Sequence, residues 1–285
     1  MTKQEFRELV QAKTLLLDGA TGSNLMKEGM PRGVCSEQWV YENPQVLQKL
    51  QKEYCEAGSK IVYASTFSAN RISLANHGLE DKVEELNRGL VCISRDAVGD
   101  ACYIAGDLTT TGKQDVPYEI LFEAYREQIA VLADAGVDLL IAETMLGVDE
   151  VMAVIDAAAA VCELPVMCTL TVESDGSLFF GGNIYDGVEK LEQMGADAVG
   201  INCSTGPDQL VSVVKNIREK VSIPVIVKPN AGMPVIDDKG NAVYSMGAGE
   251  FAEHMKVLVE AGANIVGGCC GTTPEYIRRL ADILK

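Results

Sequence analysis

The chain has 285 residues, 47% of them hydrophobic, and 41 acidic side chains against 24 basic ones give it a net charge of −17. That length suits one large α/β domain around a single core. So acidic a surface repels phosphate backbones and anionic bilayers, which argues against nucleic-acid and membrane partners.

The opening stretch, MTKQEFRELVQAK, is amphipathic and predicts a short helix over 2–12. It lacks the apolar segment of a signal peptide. No run approaches the roughly 18 apolar residues of a membrane span, so the expected location is the cytoplasm. The first strand is predicted over 14–20 (TLLLDGA). Amphipathic segments such as PQVLQKLQKEYCEAG and PYEILFEAYREQIAVLADAG then alternate with apolar strands over 59–67, 101–108, 137–145, 164–172, 196–203, 223–230 and 263–270. Four helices end in Ala-Gly or Gly-Ala just before a strand, at EAGSKIVY, DAGVDLLI, MGADAVGI and EAGANIVG. Glycine there fits the left-handed position that closes a helix. The strands show little alternation, as expected where both faces are covered. Eight such units predict a single-domain (β/α)8 TIM barrel over 1–285, with helix TPEYIRRLADILK closing the chain. An open doubly wound sheet is the alternative. The turn DGATGS after the first strand lacks the glycine spacing of a dinucleotide loop.

Barrel chemistry sits where the strands end. The predicted ends carry Asp18, Ser65-Thr66, Asp107, Glu143-Thr144, Asn202-Cys203, Lys228-Pro229-Asn230 and Cys269-Cys270. Nine cysteines, an odd and scattered set, speak against a disulfide framework in a reducing compartment. Six of them (Cys35, Cys55, Cys92, Cys102, Cys162 and Cys168) are expected to be free thiols, mostly buried as small apolar residues. The other three converge. The sixth and eighth strands flank the seventh, so Cys203 can approach Cys269 and Cys270. Neighbouring residues on a strand face opposite ways. Two adjacent thiols therefore meet one point only if the backbone turns, which Gly267, Gly268 and Gly271 permit. Three thiolates suit zinc, and three protein ligands leave the fourth position of a catalytic site open. His77 and His254 are expected to lie outside the set.

The segments VGINCSTGP and IVGGCCGTTPEYI resemble the zinc signature of the homocysteine S-methyltransferase family. LLLDGATGSNL and GSKIVYASTFSANR resemble its front end. Within that family the chain is most similar to the homocysteine-binding modules of cobalamin-dependent methionine synthases, from about residue 14 to its end. The resemblance implies a (β/α)8 barrel, zinc on Cys203, Cys269 and Cys270, and homocysteine as substrate. It implies that Asp18 and Glu143 face the substrate ammonium. The turn Asp18-Gly19-Ala20 would offer amides to the carboxylate, with Thr66 a further contact. Asn230 would lend zinc an oxygen when no substrate is bound. The implied donor is methylcobalamin on a separate module or partner protein, with S-methylmethionine, betaine or S-adenosylmethionine as alternatives within the family. The chain ends one helix after the paired cysteines, which is expected of an excised module or a free-standing enzyme with a corrinoid partner. The loop GDLTTTGKQDVPYE departs from the glycine-rich loop of the family.

Two other chemistries stay open at the level of residues. One is a non-catalytic zinc-binding protein. The other is an aldolase-type barrel with Lys228 as Schiff-base lysine.

Overall fold

The computed structural model describes residues 1–237 and 242–285. The first helix, Lys3–Ala12, starts at a reciprocal cap. The Thr2 side chain accepts from the Glu5 amide, and the Glu5 carboxylate accepts from the Thr2 amide at 2.7 Å. The helix drives Phe6 and Val10 into a cluster with Leu15, Ile61, Leu139 and Ile265, and so plugs one end of the barrel. Lys3 fastens it through an ion pair of 3.1 Å to the buried Asp197.

The barrel strands are β1 (Leu15–Leu16), β2 (Ile61–Tyr63), β3 (Tyr103–Leu108), β4 (Leu139–Met145), β5 (Val166–Leu170), β6 (Ala198–Cys203) and β7 (Val225–Pro229). After a hairpin of β8 (Pro234–Ile236) and β9 (Ala242–Tyr244), β10 (Ile265–Val266) completes them. The eight barrel strands run parallel in the order β1-β10-β7-β6-β5-β4-β3-β2. A parallel bridge between Leu17 and Ile61 joins the two ends. This is the predicted (β/α)8 barrel in a single domain. Along each strand, residues alternate between the interior (Leu139, Ile141) and the layer beneath the helices (Leu140, Ala142). The four predicted closing glycines, Gly58, Gly136, Gly195 and Gly262, all have positive φ.

Three features differ from the sequence reading. β1, β2 and β10 are much shorter than predicted: past Tyr63, whose amide is taken by the Asp18 carboxylate, the regular ladder gives way to scattered backbone bonds. The Asp18 carbonyl accepts from Gly268, and the Pro229 carbonyl accepts from Cys269. The hairpin β8–β9 was not expected. Its three-residue strands are too short and too exposed to show a hydrophobic period. Cys55 and Cys102 are joined as a disulfide rather than free. They join the helix Pro44–Ala57 to the turn just before β3, 47 residues apart in the chain, a proximity that spacing does not reveal. Cys35 and Cys168 are buried, Cys162 is half-buried and Cys92 is exposed. Among the described residues, no helix is long and apolar enough to cross a membrane.

Candidate metal and substrate site

The thiols of Cys203, Cys269 and Cys270 lie within 4.8 Å of one another. Cys203 Sγ is 3.9 Å from Cys270 Sγ. Tetrahedral zinc with bonds of about 2.3 Å separates its sulfurs by about 3.8 Å, so the set fits that ion. The thiols already share charge. Cys270 accepts hydrogen bonds from Cys203 and Cys269 and is pushed down to about 3, with the Tyr244 hydroxyl contributing. Cys203, hydrogen-bonded to these neighbours and facing their charge, is pushed up. A cation would take the place of those protons. Asn230 Oδ1 is buried without a hydrogen-bond partner. Its backbone amide is tied to the carbonyl of Thr205, close to the Cys203 end of β6. Neither His77 nor His254 belongs to the cluster among the described residues.

The backbone is bent to bring the sulfurs together. Cys203 and Ser204 have φ of 58° and 55°, in the left-handed region that side-chained residues avoid. The paired cysteines owe their position to close approach as well as to turning. A Cβ on Gly268 would lie 2.5 Å from Thr272 Oγ1, and one on Gly267 2.7 Å from the Asp18 carbonyl. Of these glycines, Gly271 alone has positive φ, at 85°, and a Cβ there would strike the Tyr244 ring.

Beside the sulfurs lies a cavity of about 310 Å³, lined among others by Tyr63, Asp107, Glu143, Lys228, Cys269 and Cys270. Larger grooves lie elsewhere, one of about 850 Å³ beside Arg71 and Glu127, but none of them contains the three thiols. Lys228 Nζ is 3.3 Å from Asp18 Oδ1 and 3.8 Å from Glu143 Oε2, and it stacks 4.4 Å from the centre of the Tyr63 ring. Asp18 Oδ2 accepts from the Tyr63 amide at 2.8 Å. Burial pushes Glu143 up to about 7, with Lys228 pulling the other way. Burial also raises Asp18, again against Lys228. Burial alone would depress Lys228, yet Glu143 and Asp18 outweigh it and hold the amine protonated well above the ordinary lysine range. A Schiff-base lysine needs the reverse.

Other predicted contacts sit differently. Thr66 is fully buried and does not line the cavity. Its hydroxyl donates to the Asp107 carbonyl and accepts from the Asp107 amide, which clamps β3. The Ala20 amide donates to Thr272 Oγ1 at 3.0 Å, so it is engaged within the protein. Gly19 is forced by packing, since a Cβ there would lie 2.6 Å from the Tyr54 hydroxyl.

Asn202 is a hub that the sequence reading placed only at a strand end. Its Oδ1 accepts from the Thr144 amide and the Thr169 hydroxyl, and its Nδ2 reaches Thr144 Oγ1 and Glu143 Oε2. It thereby holds Thr144 at a φ of 57° and aims Glu143. A polar residue just before a candidate ligand was the available signal. Tyr244, on the unexpected hairpin, had none.

The chain is 31% identical over 298 residues to the methionine synthases of Mycobacterium leprae and Mycobacterium tuberculosis. Each alignment covers 96% of this chain but only 24% and 25% of those proteins, so the chain spans about a quarter of their length. Crystal structures of the homocysteine methyltransferase MmuM from Escherichia coli, in oxidised and metallated forms, superpose with TM-scores of 0.82 and 0.81. They cover 98% of this chain at 24% identity, a likeness of fold. The model of the homocysteine S-methyltransferase family matches residues 15–284, and the chain belongs to that family.

Proposed function

We propose that the chain is a zinc-dependent homocysteine S-methyltransferase that makes methionine. The observation that carries this is the meeting of three thiols, within 4.8 Å of one another, with a carboxylate-lined cavity. Zinc on Cys203, Cys269 and Cys270 would supply a Lewis acid that ionises a thiol at neutral pH.

The chain's own residues then do the rest. Asp18 and Glu143, held by Lys228 and Asn202, present negative charge to the substrate ammonium. Leu25, Met30 and Phe67 line the same cavity and suit the methylene chain. With the Ala20 amide engaged by Thr272, the substrate carboxylate is left to the continuation of the turn, where Thr21, Gly22 and Ser23 line the cavity. Asn230 Oδ1, buried and unpartnered, is suited to lend an oxygen to the metal until a substrate sulfur arrives. The ionised sulfur uses a lone pair to form the new S–CH₃ bond. The donor departs with the electrons of the bond it loses. Since the thiol proton is lost on binding, no side chain need act as base during transfer.

The donor we favour is methylcobalamin on a separate module or protein. Both mycobacterial relatives are methionine synthases about four times the length of this chain, and a barrel of this kind would be one module among several. S-methylmethionine, betaine and S-adenosylmethionine are the competing donors. Incubation of reduced, zinc-loaded protein with homocysteine and each donor, followed by assay for methionine, tests the reading. Methionine from none of them, at any zinc content, would leave a non-catalytic zinc protein instead.

A further inference from the structure

Two carboxylates, Glu143 and Asp107, line the cavity, and a third, Asp18, is buried behind Lys228. Asp107 ends β3 and lines the same space as Glu143. It is 5% exposed, and its Oδ1 has no hydrogen-bond partner. Its backbone is fixed at both its amide and its carbonyl by the Thr66 hydroxyl. Among the described residues, the cation that acts on it, Lys228, is already committed to Asp18 and Glu143. After burial itself, the charge that bears most on Asp107 is that of Glu143, and both push its pKa well above the ordinary carboxylate range. An unpaired buried carboxyl costs stability. No packing role answers for it, since a leucine of like size would fill the place without the cost.

The structure assigns Asp107 as a third arm of the ammonium subsite, which selects a thiol bearing an α-amino group over the same thiol without one. This rests on the homocysteine reading. The reasoning is one of charge balance. Lys228 answers Asp18. The neighbouring Glu143 and Asp107 each favour a proton, Glu143 because of burial and Asp107 because of burial and the charge of Glu143, and they leave at least one negative charge to be answered when either ionises. A substrate ammonium brings the missing cation, and its three N–H groups can reach three separate acceptors. A hydrogen bond to a charged group is among the stronger contacts available in such a site.

The test compares homocysteine with 4-mercaptobutyrate, which is homocysteine lacking its amine, on zinc-loaded wild type and Asp107→Leu. Affinities are read by isothermal titration. Asp107→Leu is expected to weaken homocysteine about tenfold or more while leaving 4-mercaptobutyrate within about twofold. Zinc stoichiometry should persist, and the thermal midpoint should hold or rise. The assignment is overturned if homocysteine and its analogue weaken equally, if neither changes, or if the midpoint falls with loss of zinc, which would mark Asp107 as structural. Wild type that binds neither thiol would defeat the homocysteine reading itself.

Discussion

Lys228 Nζ lies 3.3 Å from Asp18 Oδ1, with both side chains almost wholly buried. Lys228 lines the cavity with Asp18 behind it, and Glu143 Oε2 lies 3.8 Å from the same amine. Removing one member of such a buried set leaves an uncompensated charge and costs about 3–5 kcal/mol, less where the freed carboxyl takes up a proton. Lys228→Met should therefore lower the thermal midpoint by several degrees, roughly 2–4 °C for each kcal/mol in a chain of this size. It should also weaken homocysteine binding, since Asp18 and Glu143 lose their anchor. A variant of wild-type stability would show that the ion pair is not formed in solution.

Glu143 gives the site a pH signature. Its folded value, about 7, lies above its ordinary value of 4.5 because burial disfavours the anion. Between those two values the folded protein holds a proton that the unfolded chain has lost. The contribution of this group to stability therefore falls as pH rises through that window, and is constant above it. Metal-free wild type should lose more thermal stability between pH 5 and pH 8 than Glu143→Gln does. Binding should run the other way, because an ammonium prefers the ionised carboxylate. Methionine, whose thioether carries no proton, should bind wild type more tightly at pH 8 than at pH 6. Equal slopes for wild type and Glu143→Gln would remove Glu143 from the subsite.

Asn202 should behave as a positioning residue. It holds Thr144 in a conformation that costs of order 1–3 kcal/mol, and it touches Glu143 Oε2 at 3.3 Å. Asn202→Ala is expected to destabilise the protein by about 2 kcal/mol and to raise KM for homocysteine more than it lowers kcat. Zinc should remain bound, since the three thiols are unchanged. A fall confined to kcat would assign Asn202 a different part.

The barrel was legible because its strands are covered on both faces and its helices close with glycine, signals that survive in a single sequence. The three thiols were legible for a related reason. Barrel topology sets β6 and β10 on either side of β7, so residues at matching strand ends must meet. What stayed hidden depends on side-chain geometry. Nothing in the spacing says that Thr66 clamps β3 instead of facing the cavity, or that Lys228 is a counter-ion rather than a nucleophile. The same holds for the Ala20 amide, which finds Thr272 across 252 residues. The hairpin carrying Tyr244 is too short for periodicity to register.

Gly271 tests how the paired cysteines are held. Its φ of 85° costs a side-chained residue roughly 1–2 kcal/mol, and an added Cβ would run into the Tyr244 ring. Gly271→Ala should reduce zinc affinity, read by competition with a chromogenic chelator, more than it reduces global stability. An alanine variant that keeps wild-type zinc affinity would mean that the turn adapts and that the glycine is not needed for the site.

The most direct test of the central claim is the count of sulfur atoms around zinc, read by X-ray absorption on reduced protein with and without homocysteine. The account predicts three sulfurs at about 2.3 Å and one lighter atom in the free protein, becoming four sulfurs when homocysteine is added. An unchanged shell on adding homocysteine, or a free protein with four sulfurs already in place, would contradict it.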